Sequence, residues 1–168
     1  EHDGVVRDFV QWSEANHLRL NASKTKEMVV DFRTSKRVPP VPSTINGEVV
    51  ELVDNYKFLG VHLNSSLDWS DNAQAIHSKG KSRLFLLRRL RSFGVCNRML
   101  QMFYQSVMAS VLFFGITCWG GNNRAGDTFN LNRLVKKAGS VVGSSLQGVE
   151  EVTRVRTARK LDSILENS

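Results

Sequence analysis

The chain opens with a helical pattern of apolar residues and continues into a strand-like one. Apolar or small side chains recur at the spacing of one helical face, namely at Val6, Phe9, Val10 and Ser13. This spacing predicts an amphipathic helix over residues 5–20. A polar turn follows, and residues 27–32 are rich in Met and Val. This second pattern predicts a mostly buried strand.

The next segment combines turn-forming residues with short strand patterns. All three prolines fall within residues 34–44, which predicts an exposed loop. Asn46-Gly47 is the strongest hairpin signal in the chain, because both residue types accept the positive φ angles of a two-residue turn. We expect a return strand over residues 49–53 and a further strand over residues 56–63. Gly60 marks a point in that strand where a backbone or ligand can approach closely.

From Trp69 onward the strand patterns stop and helical ones begin. Asp68 or Ser70 can cap a helix that runs to about Ser92, and Gly94 supplies its C-terminal stop. The apolar stripe of this helix consists of Ile76, Gly80, Leu84, Leu87 and Leu90.

Residues 99–119 contain no charged side chain, which meets the length of a membrane span. Gln and Ser residues interrupt the run, so a core helix is the better interpretation. Gly120-Gly121 then ends it. A helix is predicted over residues 127–142, with Leu131, Leu134, Val135 and Ala138 inward and Arg133, Lys136 and Lys137 outward. A last helix is predicted over residues 149–166, with the stripe Val152, Val155, Ala158, Leu161 and Leu165.

These elements together predict an α+β fold. Residues 1–66 form a small antiparallel sheet with one packed helix, and residues 67–168 form an α-helical bundle. The length of 168 residues suits one domain, or two small ones that share a core.

The positive charge of the chain favours a polyanionic binding partner. Lys and Arg total 23 against 16 Asp and Glu, giving a net charge of +7. No acidic residue occurs between Asp71 and Asp127. Within that interval, the helix over residues 70–92 carries Lys81, Phe85, Arg88 and Arg89 on the arc opposite its apolar stripe. A basic face with an aromatic ring suits phosphate contact plus base stacking, and a solvated helix face is the equally weighted alternative.

Cysteine usage favours a reducing compartment. Cys96 and Cys118 lack the Cys-x-x-Cys spacing of a zinc site. Two free thiols, and an N-terminus without a secretory pattern, predict an intracellular protein of the nucleus or cytoplasm, with no membrane partner.

Several stretches in order carry a family resemblance. A helix leads into the turn Asn21-Ala22-Ser23-Lys24-Thr25, and YKFLGVHL, SRLFLLRRLRSFGV and FYQSVMASVLFFGITCWGG follow. In this order and spacing they resemble the end of the palm and the thumb of reverse transcriptases from non-LTR (LINE-type) retrotransposons. The resemblance implies a palm segment at residues 1–66 and a thumb-like domain at residues 67–168.

The resemblance also implies roles for particular residues. Lys24 would lie near the incoming nucleotide and act as a general acid or charge clamp on the leaving pyrophosphate. Leu59 and Gly60 would belong to a hairpin that holds the primer end. Lys81, Arg88 and Arg89 would follow the backbone of an RNA–DNA hybrid or duplex. The residue patterns alone leave simpler alternatives open: Lys24 as a solvated surface lysine and Gly60 as a bulge in a core strand.

One departure from the family limits the expected chemistry. The catalytic pair of aspartates is missing, since the sequence contains no Asp-Asp. Nucleotidyl transfer needs two metal ions held by convergent carboxylates. We therefore expect a fragment that begins just after the catalytic turn, is inactive alone and lacks the fingers and N-terminal palm. No cofactor is expected in this fragment, and Mg²⁺ only in an intact enzyme.

Other assignments are weaker. His62, Asp68 and His77 are the residue types of a two-histidine-one-carboxylate iron site, but convergence across a strand, a loop and a helix is not expected. SRLFLLRRLRSFG weakly resembles the basic N-terminal segment of AlkB-homologue tRNA-modifying proteins. The dioxygenase or methyltransferase activity of such proteins is not expected here, because the iron triad and a Gly-rich cofactor loop are absent. A helical protein-interaction module that binds no nucleic acid remains the second functional hypothesis.

Overall fold

A computed structural model describes residues 2–32 and 41–167. Most of the predicted proline-rich loop, residues 34–40, lies outside them. The chain divides into two compact units, and each is described by itself. The first comprises residues up to Lys57 together with Asn64–Leu67, and the second comprises Phe58–Leu63 and the residues from Asp68 onward.

The first unit contains one long helix and several very short strands. Its elements are α1 (His2–Ala15), a 3₁₀ turn (Ala22–Lys24), β1 (Lys26–Glu27), β2 (Thr44–Ile45), β3 (Glu48–Val49) and β4 (Glu51–Leu52). β1 pairs in parallel with β4, and β2 pairs antiparallel with β3. β5 (Asn55–Phe58) and β6 (Val61–Asn64) form a further pair, whose turn end belongs to the second unit.

Helix α1 packs its inner face on a small core. Val6 and Val10 lie against a cluster of Ala22, Ile45 and Val50. The inclusion of Phe9 in this face was wrong, because its ring is exposed and stacks on that of Trp12. The helix also ends at Ala15 rather than at residue 20. The main chain turns there, since the N–H of Leu18 donates to the carbonyl oxygen of Ser13 at 2.8 Å and His17 has φ +56°.

The predicted strand over residues 27–32 is mostly absent. β1 stops at Glu27, whose carbonyl oxygen accepts the last ladder hydrogen bond, from the N–H of Val53. Phe32 is 78% exposed. β4 is only two residues long, and among the described residues no partner strand extends along the later part of this segment.

The predicted Asn-Gly hairpin and the strand predicted over residues 56–63 had different outcomes. Asn46 and Gly47 adopt φ of +52° and +81° between the antiparallel β2 and β3, which confirms the Asn-Gly turn. A single strand over residues 56–63 was wrong. The chain reverses at Leu59-Gly60, where φ is +46° and +90°, so this segment is a hairpin, as the family resemblance implies, rather than a strand with a bulge.

The second unit is built from helices around one large core. Its elements are α2 (Ser70–Ser92), α3 (Asn97–Phe103), a π-helical stretch (Tyr104–Ala109), α4 (Ser110–Leu112), α5 (Ile116–Trp119), α6 (Ala125–Val142) and α7 (Val149–Leu165). The bounds of α2 and α6 confirm the predicted helices. The oxygen of Asp68 accepts from the N–H of Ser70, and Gly94 follows α2 with φ +76°.

The uncharged run over residues 99–119 lies largely in the core, as predicted, but it is not one helix. Leu100, Met108, Leu112 and Trp119 are buried, and the chain breaks at Gly115 with φ +60°. No helix in the described ranges is long and apolar enough to span a membrane.

Helix α7 is only partly packed. Val149 and Val152 are buried, whereas Leu161 and Leu165 of the predicted stripe are exposed. The prediction of a continuous buried stripe was therefore wrong beyond the first turns. Both cysteines, Cys96 and Cys118, are free and exposed.

Candidate nucleic-acid interface

A cleft of about 540 Å³ lies between α2 and α6. Leu84 and Leu134 line it and belong to the buried core, so the cleft has an apolar floor. Gly80 permits the close approach of the two helices, since a Cβ there would lie only 2.8 Å from Cδ1 of Leu134. The apolar stripe of α2 thus positions the polar residues beside it.

Four cationic side chains surround the cleft. Lys81 and Arg88 come from α2, seven residues apart, and Arg133 and Lys137 come from α6, one turn apart. All four are exposed. Residues three, four or seven apart share one face of a helix, so each helix turns its pair toward the cleft. The arrangement concentrates positive charge, and none of the described residues that line the cleft is acidic.

His77 responds to this charge. Its pKa is lowered from 6.5, first by burial and then by the positive charges of Lys81 and Arg133, with Asp127 acting in the opposite direction. The imidazole is therefore mostly neutral at pH 7. A neutral ring can both donate and accept hydrogen bonds at the cleft wall.

An aromatic ring also lines the cleft. Phe85 follows Lys81 by four residues and precedes Arg88 by three, and it is 61% exposed. Asn130 of α6 adds an amide group. The guanidinium of Arg133 lies 5.9 Å from the ring centroid of Phe129, a cation–π arrangement that orients this cation.

Arg89 does not line this cleft. Its guanidinium lies 5.3 Å from the ring of Phe93, at the C-terminal end of α2. The structure therefore brings together Lys81 and Arg88 of the predicted contacts and leaves Arg89 on another part of the helix surface.

Leu59 and Gly60 form the tip of the β5–β6 hairpin. Leu59 is 79% exposed in a left-handed conformation that β-carbon-bearing residues rarely adopt. A Cβ at Gly60 would lie 3.1 Å from the ring of Phe114, so glycine permits this close contact. The tip is held on the helical unit and presents the leucine to solvent.

Lys24 lies in the first unit, at the end of the 3₁₀ turn. The side chain of Asn21 accepts a hydrogen bond from the N–H of Lys24 at 3.1 Å, which caps the turn. The lysine side chain is exposed. The predicted Asn-x-x-Lys-Thr turn is thus formed, with its lysine free of the core.

The structure does not bring His62, Asp68 and His77 together as an iron site. Asp68 pairs with Arg124 at 2.6 Å, while the main-chain N–H of His62 donates to Asn72. His77 lies in the cleft instead. Within residues 2–32 and 41–167, no three His, Cys, Asp or Glu side chains group closely enough to hold a metal ion.

Sequence reasoning did not connect Arg133 and Lys137 with the basic face of α2. Both were predicted to point outward from α6, and their spacing of four residues was the available signal. Only the packing of α6 on α2 makes them part of the same site.

Fold and site together define an α+β protein whose helical unit carries a basic cleft. The chain is 30% identical over 118 residues to the RNA-directed DNA polymerase from the mobile element jockey of Drosophila melanogaster. The match covers 67% of this chain and 12% of that polymerase. It supports a distant relationship to LINE-type reverse transcriptases. No family model and no solved structure matches the chain.

Proposed function

We propose that this chain is the end of the palm and the thumb-like region of a retrotransposon reverse transcriptase. In this proposal it binds template–primer nucleic acid, an RNA–DNA hybrid or duplex, through its helical unit. The observation that carries the proposal is the cleft with Lys81, Arg88, Arg133 and Lys137 around it. The similarity to the jockey polymerase supports the same assignment.

The physical basis of binding is neutralisation of phosphates. Each phosphate paired with Lys or Arg releases condensed counterions, which favours binding and makes it salt-dependent. Such contacts fix the position of a backbone without reading its sequence. The expected activity is therefore weak binding without sequence preference.

The hairpin tip supports a contact with the primer end. An exposed leucine with φ +46° is unfavourable for the isolated fold. Strained residues of this kind cluster where a ligand is held. In the proposal, Leu59 and Gly60 contact the end of the primer strand.

Lys24 has its proposed role only in an intact polymerase. It would stabilise the charge that develops on pyrophosphate, or donate a proton to it. These 168 residues contain no Asp-Asp pair, so we expect no polymerase activity from this chain alone. Mg²⁺ is expected only where the carboxylates of an intact enzyme hold it. A primer-extension assay that shows incorporation above the blank would contradict this expectation.

The test of nucleic-acid binding is the fluorescence anisotropy of a labelled RNA–DNA hybrid, measured at several salt concentrations. If four phosphates are contacted, the log–log salt slope is roughly −3 to −4. The double variant Lys81→Ala, Arg88→Ala should lower the magnitude of this slope by about two. Adding Arg133→Ala and Lys137→Ala should nearly abolish binding.

Arg89→Ala is the matched control, since this exposed arginine lies on the same helix outside the cleft. If the binding surface is confined to the cleft, Arg89→Ala leaves the salt slope unchanged. If Arg89→Ala lowers the slope as much as Arg88→Ala does, the binding surface continues around the helix to Arg89. An unchanged slope in the fourfold variant would show that the cleft is merely solvated.

A helical protein-interaction module is the second candidate. Leu161, Ile164 and Leu165 are exposed along the last turns of α7, and exposed apolar residues of this kind can dock a partner helix. Absence of hybrid binding at low salt would favour this candidate.

A further inference from the structure

We propose that the cleft between α2 and α6 takes an unpaired nucleotide, with its base stacked on Phe85 and its flanking phosphates on the surrounding cations. The interior of the cleft then holds an unpaired nucleotide of the bound nucleic acid, whereas an RNA–DNA hybrid or duplex contacts the cations at the rim. The inference rests on the proposed function, because it presumes that the helical unit binds nucleic acid. It adds that the nucleotide inside the cleft is unpaired.

The position of Phe85 carries the inference. Its ring lines the cleft, and Leu84 beside it already fills the floor. The phenylalanine therefore contributes an open aromatic face rather than core packing. Basic grooves that contain such a ring are the pattern of single-strand binding, because every base has a π-face to stack on it. In a duplex the base faces are covered by their neighbours, so the ring would meet only backbone.

The cations flank the ring at suitable positions. Lys81 and Arg88 lie seven residues apart, which is about 10 Å along the helix axis, and Phe85 falls between them. Arg133 and Lys137 face them from α6, about 6 Å apart along that axis. Phosphates on either side of a stacked base would thus each meet a positive side chain.

The remaining wall offers hydrogen bonds to a base edge. Asn130 has both a donor and an acceptor, and so has the neutral imidazole of His77. The volume of about 540 Å³ lies within the range of pockets that enclose small ligands. A single nucleotide fits these features better than a rigid duplex, which would contact only the rim.

The experiment uses the 168-residue chain and three labelled ligands at low salt. These are an oligothymidylate of about ten nucleotides, an abasic strand with the same number of phosphates, and a blunt RNA–DNA hybrid. The abasic strand keeps the charge of the first ligand and removes the stacking. The variants are Phe85→Ala, Phe85→Leu and Phe85→Trp, with Phe93→Ala as the matched control. Phe93 is also exposed and close to an arginine on the same part of the chain, but it lies outside the cleft.

The expected results separate stacking from charge. Phe85→Ala and Phe85→Leu should weaken oligothymidylate binding by about 5- to 100-fold, should leave abasic binding unchanged and should leave the fold intact by circular dichroism. Phe85→Trp should retain or strengthen binding, and Phe93→Ala should leave it unchanged.

Two contrary results have different meanings. If Phe85 variants bind all ligands like the parent while Lys81→Ala with Arg88→Ala weakens all of them, the cleft recognises phosphates only. The inference then fails and the proposed function stands. If the parent chain binds none of the three ligands, the proposed function fails and the inference fails with it.

Discussion

Arg156 on α7 donates a hydrogen bond from its guanidinium to the carbonyl oxygen of Phe113, at 2.9 Å, and lies 5.8 Å from the centroid of the same residue's ring. Phe113 follows α4 at a point where the chain leaves its helical path. One side chain thus satisfies a carbonyl at a helix end and attaches α7 to the core.

Arg156→Ala should therefore lower the free energy of unfolding by about 1–2 kcal/mol, through loss of a charged hydrogen bond and a cation–π contact. Urea denaturation measures this. Arg154→Ala is the control, because the Arg154 side chain is exposed on the same helix and has no hydrogen-bond partner among the described residues. Equal effects of the two variants would contradict the assignment.

Gly139→Ala should destabilise the helical unit. A Cβ at this position would lie 2.8 Å from the carbonyl oxygen of Ser144, a main-chain atom that cannot rotate away. We expect a loss of about 1–3 kcal/mol, typical of overpacking. Gly126→Ala, with nothing within 4 Å of its Cβ position, should instead gain several tenths of a kcal/mol. Thermal unfolding of both variants checks the opposite signs.

Leu59→Asn should stabilise the chain by about 1 kcal/mol. Asparagine tolerates positive φ, and Asn-Gly is the preferred sequence for a turn with two such residues. The leucine is mostly exposed, so little packing is lost. Leu161→Asn, an exposed leucine within α7, should show no gain. If Leu59→Asn instead lowered stability, the leucine would have a packing role in the hairpin.

The pH dependence of stability should include a contribution from His77. Its folded pKa lies below the unfolded value of 6.5, because burial and the charges of Lys81, Arg133 and Lys137 outweigh Asp127. As the pH falls through 6.5 the unfolded chain binds more protons than the folded chain, so the free energy of unfolding decreases toward the lowered pKa. His77→Gln should remove this part of the dependence.

The same histidine should report ligand binding. A bound polyanion offsets the positive potential and raises the pKa of His77. An NMR titration of the imidazole with and without inorganic polyphosphate measures this change. An unaltered titration curve at saturating polyphosphate would place the anion outside the cleft.

In an intact relative, the lysine that corresponds to Lys24 can be tested directly. Its replacement by Ala should slow single-turnover nucleotide addition by about 10²-fold, the contribution of a positioned acid, and leave primer binding nearly intact. Replacement by Arg should restore charge stabilisation but transfer a proton poorly. Incorporation at the parental rate in the Ala variant would make this lysine an ordinary surface residue.

Local chemistry made part of the fold predictable. The Asn46-Gly47 hairpin depends on the turn preferences of two adjacent residues. Helix α2 depends on apolar residues that recur at helical spacing within its own sequence. The strand over residues 27–32 failed for a non-local reason, since its partner β4 is only two residues long. Burial of a strand requires a neighbour along its length, and an apolar pattern does not supply one.

The π-helical stretch could not be predicted from the spacing of apolar residues. Tyr104, Met108 and Leu112 are all buried and are spaced by four residues. In an α-helix each such step overshoots a full turn by about 40°. The wider winding of the π-helical stretch keeps these side chains on the core side. Burial raises the pKa of Tyr104 to about 12, in keeping with this position.

Of the four cations around the cleft, only the two on α2 could be predicted from the sequence. Lys81 and Arg88 follow from the phase of α2 alone. Arg133 and Lys137 join them only because Gly80 lets α6 pack closely on α2. The exposure of Phe85 was likewise visible in the helical pattern, whereas its position on the wall of a cleft depends on the second helix.

The two exposed thiols give the chain built-in attachment points for spectroscopic labels. Cys96 precedes α3 and Cys118 lies in α5, so both report on the helical unit, and the sequence before Cys96 contains no other cysteine. Spin labels on the pair would measure one distance across that unit, with no signal from residues 1–57. Comparing this distance with and without nucleic acid would separate rigid docking from rearrangement of the helices, without introducing a single substitution.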